Sequence, residues 1–192
     1  MWQKLLRDSS FFLLLLRFDC EVAEQVRARG CPYCGSALHF ARYERKPRGA
    51  PAGLPPQYER RESLCCSADG CRKRVLPPSL RFFGRRVYLG PVFVVVCAMI
   101  EGITVKRAAA LQELVGVSIR TLARWRRWWR EAFPQTAFWR AACARFAPPV
   151  DRWCLPASLL ERFEGDAEPQ RIMAALRFLL PLTAGSNCPM ES

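Results

Sequence analysis

TVKRAAALQELVGVSIRTLARWRRWWR, residues 104–130, is the stretch on which the reading of the fold turns. Thr104 is placed to cap a helix that runs to Val115, and Gly116 supplies a turn. Val117 plugs the core, and Ser118 is placed to cap a second helix. That second helix is expected to run to Phe133 and to stop at Pro134, which has no N–H to continue the ladder. At about 100° per residue, Ile119, Leu122, Trp125, Trp129 and Phe133 share one face, and Arg120, Arg124 and Arg127 the opposite one. Two helices joined by a glycine turn form the pattern of a helix-turn-helix. The tryptophans read as packing residues, with Trp128 the exception because it falls beside the arginines. Arg126 falls on the apolar side, where its stem would have to snorkel.

A unit of this kind packs one face and can enter a major groove with the other. Ser118, Arg120, Thr121 and Arg124, near the start of the second helix, are the candidates for base contact. Lys106, Arg107, Arg127 and Arg130 are the candidates for phosphate contact, which fixes position but not sequence. The expected partner is double-stranded DNA.

Upstream, residues 91–100 are continuously apolar. Their β-branched run favours a strand in isolation. Their place before the two helices argues instead for the buried first helix of a three-helix unit, with Pro91 suited to its first turn. Further upstream, CPYCG at 31–35 has the two-residue spacing that lets Cys31 and Cys34 reach one tetrahedral ion. CCSADGC at 65–71 supplies a second pair about thirty residues on. Cys65 and Cys66 cannot readily both ligate, because neighbouring side chains of a strand point to opposite faces. Cys66 is assigned with Cys71, and Cys65 is held as the alternate. The expected cofactor is therefore a structural Zn2+, since four thiolates leave no open position for water. Cys-Pro-Tyr-Cys also matches the glutaredoxin active site. That fold needs a strand just before the motif, a helix at it and a later proline motif, and none of these is legible here. His39, the only histidine, reads as a strand residue and not as a ligand.

The formal net charge is +13, which favours a polyanionic partner. Residues 42–86 carry a net +8 and residues 106–130 a net +6, so the excess sits where the motifs lie. Of the 30 basic residues, 26 are Arg, the side chain that meets phosphates and guanine edges bidentately. The apolar run at 11–16 is short for a signal peptide and far too short to span a bilayer. The ten cysteines are accordingly assigned to a reduced, cytoplasmic, nucleoid-associated chain, with no membrane and no small-molecule substrate as partner.

The expected fold is mainly α with a small β zinc ribbon. Residues 1–30 form an N-terminal helical segment, with Asp19 capping a helix through Arg29, Val22 and Val26 inward and Glu21, Glu24 and Arg27 outward. Residues 31–88 form the zinc ribbon, with short strands near 37–43 and 62–65 and an irregular Pro/Gly-rich insertion between them. Residues 89–134 form the helix-turn-helix unit. Residues 135–192 form a small helical region with patches at 138–146, 157–163 and 169–180 and a disordered tail from 184.

Cys31, Cys34 and Gly35, the Cys66/Cys71 pair with Arg72, Lys73 and Arg74, and Gly116 through Trp125 together resemble the zinc-ribbon plus helix-turn-helix proteins of bacterial insertion sequences. These are the DNA-recognition halves of transposases, and the resemblance spans roughly residues 31–130. It implies a transposon-associated accessory factor or a regulator, with a separate transposase or a second copy of the chain as a further partner. Gln112 departs from the pattern, which usually has a small residue four before the turn glycine. A second departure concerns catalysis. An acidic-triad transposase needs three carboxylates on an RNase H-like domain to hold two metals. The acids after Pro134 (Asp151, Glu161, Glu164, Asp166 and Glu168) lie close in sequence without strand patterns. Recognition without cutting is therefore expected, and no enzymatic activity. A zinc-ribbon module that binds RNA or protein is the alternative reading, and a metal-dependent nuclease or a relic without function are further ones.

Overall fold

The structure, a computed structural model, describes residues 2–45, 50–51, 53–83, 89–99 and 104–184. A short helix, α1 (Trp2–Arg7), leads into the long helix α2 (Ser9–Arg29). Asp8 begins α2, its carboxylate accepting the Ser10 N–H at 2.9 Å. Asp19 does not begin a helix, contrary to the sequence expectation. The buried positions of α2 are Phe11, Phe12, Leu15, Asp19 and Ala23, one stripe at helical spacing, and Asp19 lies within it. An acid there must find partners in the core. It finds them in the buried segment 79–81: Ser79 Oγ and the Leu80 N–H donate to its carboxylate, the latter at 2.7 Å, and Arg81 Nε at 2.8 Å. Val22 and Val26 are half-buried, and Glu21, Glu24 and Arg27 are exposed.

Gly30 ends α2 at φ +80°, and a Cβ there would stand 2.9 Å from the Gly35 carbonyl oxygen. Only glycine lets the helix turn this closely into the cysteine segment. A small antiparallel sheet follows, made of β1 (Leu38–Phe40), β4 (Leu64–Cys66) and β5 (Arg74–Val75) in the order β1-β4-β5. Leu38 pairs with Cys66 and His39 with Cys65, so His39 is an exposed strand residue. A second pair, β2 (Tyr43–Glu44) with β3 (Arg60–Arg61), closes the base of the Pro/Gly-rich insertion. The end of the insertion is more ordered than its composition suggests. Pro56–Glu59 forms a 3-10 turn that buries Tyr58 against Phe12, with ring centroids 5.9 Å apart.

The apolar run is a helix, α3 (Leu89–Cys97), with every residue buried. A helix apolar all round is stable only when surrounded, and α1, α5 and α8 surround it. Next come α4 (Val105–Val115) and α5 (Ile119–Arg127). Two expectations for α5 are corrected. Ile119 is exposed (48%), because it stands in the first turn beyond the reach of the core. The α-helix also ends earlier than Phe133, passing at Trp128–Ala132 into a π turn and at Phe133–Gln135 into a 3-10 turn. Pro134 has no N–H for the Arg130 carbonyl, and its ring would crowd that carbonyl. The wider turn, in which the Phe133 N–H reaches the Trp128 carbonyl, leaves the α ladder before that conflict arises.

The π turn also brings Trp128, Trp129 and Phe133 inward together. Trp128 packs 5.1 Å from both Phe83 and Trp129, so it is a packing residue like the others. From Trp129 the rings continue through Phe133 (4.7 Å) to Trp139 (4.9 Å). Trp139 belongs to α6 (Ala137–Ala142), which is followed by α7 (Ala157–Leu160) and α8 (Glu168–Phe178). One continuous core draws on α1 to α5 and on these C-terminal helices, while a second, small core surrounds the cysteines. The chain is thus mainly helical with a small antiparallel sheet. Among the described residues no helix is long and apolar enough to cross a membrane. The expected tail beyond Ala184 lies outside the described residues.

Candidate metal centre and basic helix

The turn after α2 and the loop between β4 and β5 face each other. In the first, the Gly35 N–H donates to the Cys31 carbonyl and the Cys31 N–H to the Ser36 carbonyl, both at 2.8 Å. In the second, the Cys71 and Arg72 N–H groups both donate to the Ala68 carbonyl, with Arg72 held at φ +45°. These two loops bring Cys31, Cys34, Cys66 and Cys71 together, all four sulfurs within 4.8 Å of one another. Cys31 Sγ stands 3.8 Å from Cys71 Sγ, and Cys34 Sγ 3.4 Å from Cys66 Sγ. Four thiolates about 2.3 Å from a tetrahedral ion stand roughly 3.8 Å apart, so the donor set fits a metal ion. The Cys65 thiol points away, toward the Arg72 carbonyl oxygen at 3.7 Å. The strand alternation that separates neighbours gives the cluster Cys66 and leaves Cys65 outside.

Backbone N–H groups stabilise negative charge on three of these sulfurs. The Ser36 hydroxyl and N–H both donate to Cys34 and draw its thiol down to about 6. Cys66 receives the Ala68 N–H, which lowers it, but burial and hydrogen bonds with the other three thiols push it up to about 12. Cys71 receives the Lys73 N–H, which lowers it, and is raised on balance by burial and by hydrogen bonds with Cys34 and Cys31. Such N–H groups orient thiolates around an ion and spread their charge. Lys73 Nζ lies 4.2 Å from the Tyr33 ring centroid and ties the two loops together.

The basic helix is built from its caps. Thr104 Oγ1 accepts the Arg107 N–H at 3.2 Å, and Ser118 Oγ accepts the Thr121 N–H at 3.4 Å. Gly116 between them is left-handed (φ +63°), and its N–H returns to the Gln112 carbonyl at 2.8 Å. Gln112 itself is exposed, and the buried small residue of α4 is Ala108. Leu122, Trp125 and Trp129 are buried beneath α5, and Arg120, Arg124 and Arg127 are exposed on its other side. Lys106 is exposed in the first turn of α4, and Arg107 is half-buried there. The Ser118 and Thr121 hydroxyls face each other at 3.3 Å, so both are already engaged at the cap. Arg130 is half-buried on a different flank, its guanidinium 5.9 Å from the Trp153 ring centroid. Arg126 is also half-buried, and burial followed by the nearby Arg130 pushes its guanidinium down.

Sequence reasoning passed over Trp153, whose exposure beside arginines becomes visible only when the chain folds back on itself. Its signal in the sequence was faint, a tryptophan between Arg152 and Cys154 in a polar turn. The C-terminal acids are not gathered: among the described residues only the four cysteines form a group of three or more side chains close enough to share an ion. Comparison with protein-family models, curated proteins and solved structures found no match.

Proposed function

We propose that this chain binds duplex DNA sequence-specifically, with α4, the Gly116 turn and α5 acting as a helix-turn-helix. The carrying observation is α5 itself. Its buried Leu122, Trp125 and Trp129 hold it against the core, while Arg120, Arg124 and Arg127 extend outward from a helix capped at its start. Arg120 and Arg124 would read base edges. Ser118 and Thr121, engaged with each other, would contribute mainly by fixing the start of the helix. Lys106, Arg107, Arg127 and Arg130 would meet phosphates. Four cysteine thiolates suit Zn2+, which closes the site, takes no part in chemistry and folds the β1-β4-β5 segment as a zinc ribbon. Together with the resemblance to insertion-sequence proteins, this makes the chain a cytoplasmic, nucleoid-associated accessory factor or regulator. A separate transposase or a second copy of the chain would be its further partner.

Fluorescence anisotropy of the zinc-loaded chain on a 20-bp duplex, titrated at several salt concentrations, tests the reading. Log affinity is expected to fall against log salt with a slope near −3.6, roughly 0.9 for each of four phosphate contacts. Arg127→Ala is expected to reduce that slope by about one contact. Binding of duplex RNA as tightly as duplex DNA would instead favour the RNA-binding module.

A further inference from the structure

Beside α5, on a different flank from Arg120 and Arg124, lies a cleft of about 350 Å³ lined by Ala123, Arg126, Arg127, Arg130, Glu131 and Trp153. This volume is within the range that holds a small organic ligand, about 300–1,000 Å³. We propose that the cleft binds single-stranded nucleic acid, taking one unpaired nucleotide with its base on the Trp153 indole and its phosphate among Arg126, Arg127 and Arg130. This does not depend on the groove-reading role of Arg120 and Arg124, although Arg127 and Arg130 would border both surfaces.

Three observations carry the proposal. First, none of the three arginines makes an ion pair among the described residues, and two of them are half-buried. A merely solvated basic face would extend into water. Here Arg126 and Arg130 stand one helical turn apart, and burial followed by the nearby Arg130 pushes the Arg126 guanidinium down, a cost that an anion between them relieves. Second, Trp153 is 60% exposed, while Trp125, Trp129 and Trp139 are 8%, 0% and 7% exposed. An indole left in water next to Arg152 (4.7 Å) and Arg130 (5.9 Å) is a platform on which a base can stack between cations. Third, the platform is mounted rigidly. The Asp151 carboxylate accepts the Trp153 N–H at 2.8 Å, the Ser158 hydroxyl donates to the Asp151 carbonyl at 2.6 Å, and Arg162 donates to the Pro149 carbonyl at 3.1 Å.

The occupant is a single strand because a base inside a duplex has both faces covered by its neighbours, whereas an unpaired base offers one to the indole. Glu131 is the one carboxylate in the lining; it is exposed and makes no ion pair with the three arginines among the described residues. The phosphate is therefore directed to the arginine side of the cleft.

The test is anisotropy of the full, zinc-loaded chain on labelled single-stranded dT12 and on a blunt 20-bp duplex. Trp153→Ala is expected to weaken dT12 binding about tenfold, and Trp153→Phe to restore most of it, since a loss of roughly 5- to 150-fold is what one stacked base is worth. Arg126→Gln with Arg130→Gln is expected to weaken dT12 at least tenfold and to reduce its salt slope by about 0.7, the value of one phosphate contact on a single strand. Arg120→Ala with Arg124→Ala is expected to leave dT12 binding within twofold. Unchanged dT12 affinity in Trp153→Ala overturns the proposal, and so does an equal loss on dT12 and blunt duplex that Trp153→Phe does not restore. If the wild type ignores the duplex but binds dT12 through Trp153, the groove-reading role fails and this site stands.

Discussion

Asp19 Oδ2 and Arg81 Nε stand 2.8 Å apart with both side chains wholly out of water. The pair joins the middle of α2 to the segment that leads into α3. Arg81 also donates to the Tyr58 carbonyl at 2.6 Å and to the Arg60 carbonyl at 3.1 Å, so every part of its fork has a partner. From the same segment, the Arg81 and Leu80 carbonyls receive the Leu89 and Gly90 N–H groups, and the Ser79 N–H reaches Thr183 Oγ1 near the end of the described chain. One buried ion pair thus registers α2, the middle of the chain and the last turn among the described residues.

Removing one partner of such a pair leaves the other charged and unpaired in the core, which costs about 3–5 kcal/mol. Asp19→Ala is expected to lower the unfolding free energy by that amount. The double variant Asp19→Leu with Arg81→Met is expected to recover much of the loss. Chemical denaturation of the three proteins gives the answer, and a single variant as stable as the wild type would contradict the role given to this pair.

The sulfur geometry separates two adjacent cysteines. Cys66→Ser and Cys71→Ser are expected to reduce bound zinc well below one ion per chain, and Cys65→Ser to leave it at one. Elemental analysis of the purified proteins decides the point. Loss of zinc in Cys65→Ser alone would mean that the strand presents its other face to the ion.

Metal and protons compete for the same sulfurs, so affinity must rise with pH. Near pH 7 Cys34, drawn to about 6, is already thiolate, whereas Cys66, raised to about 12, still carries its proton. Affinity is therefore expected to climb with pH above 7 as the metal displaces the Cys66 proton. Below pH 6 it is expected to fall more steeply, where Cys34 protonates as well. Chelator competition between pH 5 and 8.5 measures the profile, and a flat one would show that the thiols do not ligate.

Gly116 sits in the left-handed region with open space where a Cβ would be, so a substitution there costs backbone strain alone. Gly116→Ala is expected to cost about 1–2 kcal/mol and Gly116→Asn less, because Asn tolerates this conformation. Thermal melts of the two variants check the order, and an alanine variant as stable as the wild type would show that the turn can be rebuilt without a left-handed residue.

The features fixed by local rules were legible in the sequence. Thr104, Gly116 and Ser118 announced two helices through capping and turn chemistry, and the cysteine spacing announced a cluster that includes Cys66. What escaped was set by long-range packing. Asp19 looks like a cap because acids favour helix starts, and only the distant Arg81 makes it a core residue. The π turn at Trp128 reflects the conflict between Pro134 and the Arg130 carbonyl together with the packing of three large rings, which periodicity cannot register. Trp153 gains its setting from Arg130, which lies on a separate element.

The most direct test of the central claim is selection from random duplexes by the zinc-loaded chain, repeated with the Arg120→Ala, Arg124→Ala double variant. The account predicts one enriched motif for the wild type. In the double variant that preference disappears while weaker, salt-sensitive binding persists through the phosphate contacts. No enriched motif, or a motif unchanged in the double variant, would contradict the assignment of α5 as the reading helix.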